Sequence, residues 1–155
     1  MPVRVRIATA DDAPEVANVY LSSRKTFLSF SSLAHTDDEV RNWISSILIP
    51  TGNVYVAEND KGIVGMMAIS ASDTISWIDQ LYLAPDAVGQ GIGSQLLQTA
   101  MEKLNHPIRL YTFQQNHGAR KFYERHGFRE ISRSDGSDNE EKCPDILFEY
   151  RHSES

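Results

Sequence analysis

The sequence predicts an α+β fold: a mixed α/β arrangement in which a sheet of about seven strands carries about four helices on its two faces. Three observations predict it. Apolar residues alternate along a series of short runs, recur at helical spacing along several longer ones, and two of the helical runs fall between strands, as crossovers do. With 155 residues, 41% of them hydrophobic, the chain suits one domain over residues 1–155, with a core that needs neither metal nor disulfide.

The elements follow in order. Val3, Val5 and Ile7 alternate with Arg4 and Arg6, a first strand. Asp11 or Asp12 is placed to cap a helix whose apolar face holds Val16, Val19 and Tyr20. The serine-rich segment 22–32, with Phe27 and Phe30, reads as the helix end and a loop. Thr36 and Glu39 form a capping box, in which each side chain can take a free backbone N–H. Val40, Trp43, Ile44, Ile47 and Leu48 then keep helical spacing until residues 50–53 stop the helix. Runs at 54–57 and 63–69 flank the turn at 59–62, a hairpin. A third extended run covers 74–83, and Pro85 ends it. A glycine turn opens a helix with Ile92, Leu96, Leu97, Ala100 and Leu104 on one side. Residues 108–113 are a strand. Asn116 caps the next helix, which closes at Gly127 in a left-handed turn. Strands at 128–131 and 146–150 complete the list, with a polar loop between them.

Composition narrows the function classes. A net charge of -6 disfavours nucleic acid and anionic membrane surfaces as partners, since both call for a basic face. The single cysteine, Cys143, forbids an internal disulfide, and its acidic neighbours would raise a thiol's pKa. The start of the chain has no apolar signal core and no run is long enough to span a bilayer, so the expected location is cytoplasmic. The five histidines show no ligand spacing, and no metal is expected.

The chemistry concentrates in Gly89, Gln90, Gly91, Ile92, Gly93 and Ser94. A helix N-terminus offers unpaired N–H groups and a partial positive charge, and glycines let an anion approach the backbone. The turn could therefore cradle a pyrophosphate; it could equally need glycine for its own conformation. Its G-x-G-x-G spacing departs from the dinucleotide pattern G-x-G-x-x-G, and the lysine of a P-loop is missing.

The stretch Ile78, Asp79, Gln80, Leu81, Tyr82, Leu83, Ala84, Pro85, followed by Val88 and the glycine turn through Leu97, resembles the core motif of the GNAT family of N-acetyltransferases. A second block is similar to that family's later motif: residues 110–116, then Ala119, then Phe122, Tyr123, Glu124, Arg125, His126, Gly127 and Phe128. Together the blocks span about residues 75–131. One position departs: the family's Gln or Arg before the turn is Val88 here, a gap that Gln90 could partly fill. The resemblance implies a GNAT-like sheet, mixed but mostly antiparallel, and acetyl-CoA as co-substrate. The coenzyme's pantetheine arm would lie along Leu81, Tyr82 and Leu83, paired with the main chain of Leu81 and Leu83. Residues 89–94 would hold the pyrophosphate, Asn116 would bond the arm, and Tyr123 would stand near the sulfur as general acid.

Each assignment has a plainer rival. Asn116 can be only a cap, and Tyr123 only a partner of Phe122. Asp79 is the acid within the third long strand and the candidate general base, against a solvated strand-end carboxylate. His35, His117 and His126 are bases by chemistry alone, although a helix C-terminus favours the charged form of His126. Phe27 and Phe30 are candidates to line the acceptor pocket, while Trp43 reads as packing. The resemblance therefore implies transfer of an acetyl group from acetyl-CoA to a primary amine, on a small molecule or a peptide, by direct attack in a ternary complex. A non-catalytic acyl-CoA-binding regulatory module is the alternative. Dimers are common among the proteins it resembles, so a homodimer is an expected assembly.

Overall fold

Seven strands form a single sheet in the order β1-β2-β3-β4-β5-β7-β6. The computed structural model describes residues 2–29 and 35–151. The strands are β1 (Arg4–Ile7), β2 (Val54–Asn59), β3 (Gly62–Ala71), β4 (Ser76–Leu83), β5 (Ile108–Phe113), β6 (Arg129–Ser134) and β7 (Asp145–Tyr150). The helices are α1 (Ala13–Phe27), α2 (Asp37–Trp43), α3 (Ile92–Lys103) and α4 (His117–Arg125). β4 and β5 are parallel, joined by the α3 crossover, and every other neighbouring pair is antiparallel. β7 enters between β5 and β6, so the α4 connection from β5 to β6 passes over one strand.

Two apolar layers hold the helices to the sheet. On one face Val16, Val19 and Tyr20 of α1 and Val40 of α2 meet Val54, Val56, Met66 and Ala68. On the other, Ile92, Leu96, Leu97 and Ala100 of α3 and Tyr123 of α4 meet Met67, Ile78, Ile108, Leu110, Ile146 and Phe148. The split follows from strand alternation: Met66 and Met67 are neighbours in sequence and lie on opposite faces.

Three stretches differ from the sequence expectation. α1 runs on to Phe27 instead of fading at Ser22. Ser23 and Arg24 are buried beside Tyr20 and Leu21, so packing overrides the low helix propensity of the serines. Asp12 stands at the N-cap position of α1, but its side chain makes no capping bond to that helix. Its carboxylate accepts the Thr9 N–H at 2.7 Å and takes the Arg6 fork at 2.8 and 3.0 Å. After Trp43 the helix widens into a π-helical stretch, Ile44–Leu48, then tightens into a 3-10 turn, Ile49–Thr51. Gly52, at φ 78°, ends it.

The capping box is present as expected: Thr36 Oγ1 accepts the Glu39 N–H at 3.2 Å, and Glu39 Oε1 accepts the Thr36 N–H at 2.9 Å.

Arg6, whose fork also reaches Glu58 at 3.1 Å, holds the Asp12 carboxyl down to about 2 from its ordinary 3.8. A depressed folded-state pKa stabilises the fold above the unfolded value and ceases to do so as pH falls through the folded one. Asp12→Asn is therefore expected to cost about 1 kcal/mol at neutral pH, after allowance for solvent screening. In urea titrations across a pH series, the gap to the parent chain should close between pH 3.8 and about 2.

Candidate active site

The site begins with a fault in β4. β3 pairs Ala68 with Gln80 and Ile69 with Ile78, which leaves Asp79 as the extra residue of a β-bulge. A bulge bends its strand and increases its twist. Pairing with β5 is confined to Ser76 and Trp77, just short of the bulge. Beyond it, β4 and β5 diverge. Ala84 donates its N–H to Val64 on β3 at 2.8 Å. By strand alternation Tyr82 also turns its main chain to β3, while Leu81 and Leu83 present theirs to the opening between β4 and β5. An inner strand of the sheet thus has a free edge.

The glycine turn stands at one end of that opening. Gly89 and Gly91 have φ of 86° and 81°, in the left-handed region, and Gly91 is the N-cap of α3. A Cβ at either would meet no protein atom within 4 Å, so the space above the turn is open. Gly93 serves packing instead: a Cβ there would come within 3.3 Å of the Phe122 ring. The first-turn N–H groups of Ile92, Gly93 and Ser94 have no intrahelical acceptor to reach.

Between these parts lies a cleft of about 1610 Å³. Its walls are β4 from Ile78 to Leu83, the glycine turn, the start of α4, the C-terminal half of α1 and the β6–β7 loop. The cleft holds charges of both signs: Asp79, Glu140 and Glu141, with Arg24 and Arg125.

A family model described as the GNAT acetyltransferase domain matches residues 50–130, more than half of the chain. The chain belongs to the GNAT acetyltransferases. It is 30% identical over 105 residues to the phosphinothricin N-acetyltransferase of Alcaligenes faecalis, a match covering 64% of this chain and 53% of that protein. It thus spans about half the length of that relative. An uncharacterized N-acetyltransferase of Archaeoglobus fulgidus is 27% identical over 133 residues, covering 78% of this chain and 89% of that one. Among solved structures, the PaiA N-acetyltransferase of Thermoplasma acidophilum, in complex with coenzyme A, shares the fold. Its TM-score is 0.77 at 20% identity, over 98% of this chain and 100% of that one.

Within this GNAT fold, most of the residues singled out from sequence face the cleft. Asp79, Leu81, Tyr82, Leu83, Gly89, Gly91, Gly93, Ser94, Asn116, Tyr123 and Phe27 all line it. Phe30 lies outside the described residues. Ile92 is buried in the core and offers the opening its backbone. Gln90 turns its amide back to the Asp86 carbonyl at 3.1 Å; its side chain braces the turn and does not stand in for the residue replaced by Val88.

Asn116 caps α4 by accepting the Ala119 N–H at 3.3 Å. Its amide NH₂ makes no hydrogen bond among the described residues. The Tyr123 ring packs between Phe122 and Phe128, and its phenol has no hydrogen-bond partner among the described residues. Burial pushes that phenol well above its ordinary value, so it is protonated. Both nitrogens of His126 are engaged: Nδ1 with the Phe122 carbonyl at 2.8 Å and Nε2 with Ser94 Oγ at 3.0 Å. That ring cannot serve as a base without breaking a contact.

Two features have no counterpart in the sequence reading. Arg24, hidden in a segment read as a helix end, lines the cleft while only 6% exposed. The β6–β7 loop is built, not slack. Asn139 brackets Cys143 with bonds of 2.6 and 3.1 Å to its carbonyl and N–H, and Ser134 Oγ donates to Asp145 Oδ1 at 2.6 Å. A run rich in serine and acidic residues between two strands was the available signal.

Gly91→Val should destabilise the fold by about 1–2 kcal/mol in urea denaturation, because a branched side chain resists the left-handed region. Val88→Gln, at a position 51% exposed, should change stability by less than about 0.5 kcal/mol.

Proposed function

We propose that this GNAT domain transfers an acetyl group from acetyl-CoA to a primary amine by direct attack within a ternary complex. The free edge of β4 carries the reading. Unpaired main-chain groups inside a fold are costly, and those of Leu81 and Leu83 face a cleft long enough for an extended, amide-bearing arm to lie against them as an added strand. The open space above Gly89 and Gly91 fits the pyrophosphate at the end of such an arm, held by N–H groups at the α3 N-terminus. The NH₂ of Asn116 supplies one more donor.

The coenzyme supplies an acyl group activated as a thioester. The chain positions it and manages charge and protons. A β4 N–H facing the opening, that of Leu81, stands ready to stabilise the oxyanion. Tyr123 donates a hydrogen bond to the sulfur as charge gathers there. An ordinary thiol has a pKa of about 8.5, below that of a buried phenol, so this hydrogen bond outweighs outright proton loss from the ring. Asp79, exposed at the bulge, accepts the proton that the amine releases, directly or through water. An acyl-enzyme has no support: Cys143 lies outside the cleft lining, and burial raises its thiol's pKa.

The acidic side chains around the cleft favour a cationic acceptor, on a small molecule or a peptide. Phosphinothricin, named for the Alcaligenes relative, belongs in the acceptor screen. No described helix is long and apolar enough to cross a membrane, and the cytoplasm is the proposed location.

Isothermal titration with acetyl-CoA is the first test; heat-silent mixtures at millimolar ligand would remove the co-substrate. Gly91→Val should weaken that binding at least about tenfold, more than any substitution at Val88, because the turn binds through its backbone. Tyr123→Phe should lower kcat on the order of a hundredfold while leaving the affinity for acetyl-CoA near that of the parent chain. Unchanged turnover would take Tyr123 out of the reaction.

A further inference from the structure

Arginines that are partly or wholly buried normally carry their counter-ions with them. This chain obeys the rule at Arg6, which holds Asp12 and Glu58, and at Arg109, which holds Glu149 at 2.8 Å. Arg24 breaks it. It is more buried than either, and among the described residues no carboxylate lies within ion-pair distance of it. Nη1 donates to the Tyr82 hydroxyl at 2.9 Å. The guanidinium lies over the rings of Tyr20 and Tyr82, at 5.7 and 6.0 Å. Nε–H is buried with no partner among the described residues. Arg120 also has a buried, unpartnered Nε, but its Nη1 reaches the Gln114 carbonyl and the residue is less buried.

We propose that Arg24 is the anchor for an anionic group on the acceptor, and that the acceptor is a small amine bearing a carboxylate, of the α-amino-acid class. The proposal rests on the acetyl-transfer reading given above. A guanidinium presents a planar fork of donors that matches a carboxylate. Arg24 stands in the cleft wall on α1, hydrogen-bonded to Tyr82, which packs on the α1–α2 face of the sheet, whereas the glycine turn opens α3, which packs on the opposite face. The anion it awaits therefore belongs to the acceptor and not to the coenzyme's phosphates.

The opposite charges are also in place. Asp79 at the bulge and Glu140 and Glu141 on the β6–β7 loop line the same cleft. Glu140 is engaged by His35. Glu141 is near enough for its field to reach Arg24, yet no ion pair forms. The other cleft arginines, Arg125 and Arg133, are exposed, and Arg133 is paired with Glu130 at 2.7 Å. A buried cation with no carboxylate partner among the described residues, in a cleft that also holds acids, describes a receptor for a zwitterion.

Aromatic stacking alone does not account for Arg24. The Tyr82 hydroxyl accepts one hydrogen bond, and a methionine would fill the space between the rings without an uncompensated charge. Removing that charge should leave the fold at least as stable.

The test compares L-amino acids with their carboxamides as acceptors, by thiol release from acetyl-CoA. The parent chain should prefer the acids at least about tenfold in kcat/KM, the scale of a charge-assisted hydrogen bond. Arg24→Met should erase the preference through the acceptor's KM and leave the acetyl-CoA KM unchanged, and Arg24→Lys should restore part of it. Arg24→Met should melt no lower than the parent chain. Equal rates on acids and carboxamides, an equal loss on both in Arg24→Met, or a markedly lower melting temperature for that variant would each overturn the proposal.

Titration of N-acetyl amino acids and their carboxamides into the coenzyme-A-bound protein gives the same comparison without turnover. Tighter binding of the acids, lost in Arg24→Met, supports the anchor even where no amine is acetylated, whereas equal or absent binding overturns it. A chain that fails to bind coenzyme A fails at the acetyl-transfer reading instead.

Discussion

The site depends on one broken ladder. β4 lies inside the sheet, where each main-chain group should find a partner on either side. The extra residue at Asp79 and the end of β5 pairing at Trp77 deprive the second half of the strand of one side. A free edge is normally a hazard, managed by charge, proline or coverage. Here the edge carries Leu81 and Leu83 and is screened by the walls of a cleft. The bulge has a second effect: Ile78 and Leu81, three residues apart, both pack on the α3–α4 face. The apolar layer is thereby preserved while the strand is re-aimed.

The two ends of the cleft are made from different materials. At the end proposed for the coenzyme the groups on offer are main-chain: the β4 edge, the α3 N-terminus, and glycines whose freedom in φ shapes the turn. Side chains there act by staying small, as Gly93 does beneath Phe122. At the end proposed for the acceptor the groups on offer are side chains drawn from distant segments: Arg24 from α1, Tyr82 from β4, and Glu140 and Glu141 from the β6–β7 loop. Backbone geometry tolerates sequence change and side-chain recognition does not. On the proposed reading, this asymmetry would let Val88 depart from the family's pattern while the backbone of the turn still holds the phosphates.

The same asymmetry governs what the sequence could disclose. Glycine spacing, the Thr36–Glu39 cap and the strand alternations are local, and each was legible. The bulge was written only as an irregularity, with the apolar positions of β4 failing to alternate cleanly across Asp79, and one sequence does not say where an extra residue sits. Arg24 was not legible at all. Its burial comes from Tyr82, far along the chain, and from a helix that continues through serines because its face stays packed. The loop around Cys143 read only as polar, because its order comes from the Asn139 bracket and a positive φ at Gly136.

That loop decides whether the acceptor end is a receptor or a closed ion pair. Glu141 and Arg24 are oppositely charged and share a cleft, and a flexible loop would let them meet and neutralise one another. Several bonds oppose this. Asn139 grips both backbone groups of Cys143, Lys142 reaches back to the Ser137 carbonyl at 2.7 Å, and Gln114 holds the Ser134 and Asp145 carbonyls at the loop's two ends. The carboxylate of Glu141 lines the same cleft as Arg24 and stays outside ion-pair distance of it. Leaving Arg24 without a carboxylate costs the fold stability, and the proposed acceptor, carrying both charges, would offset that cost by coming between them.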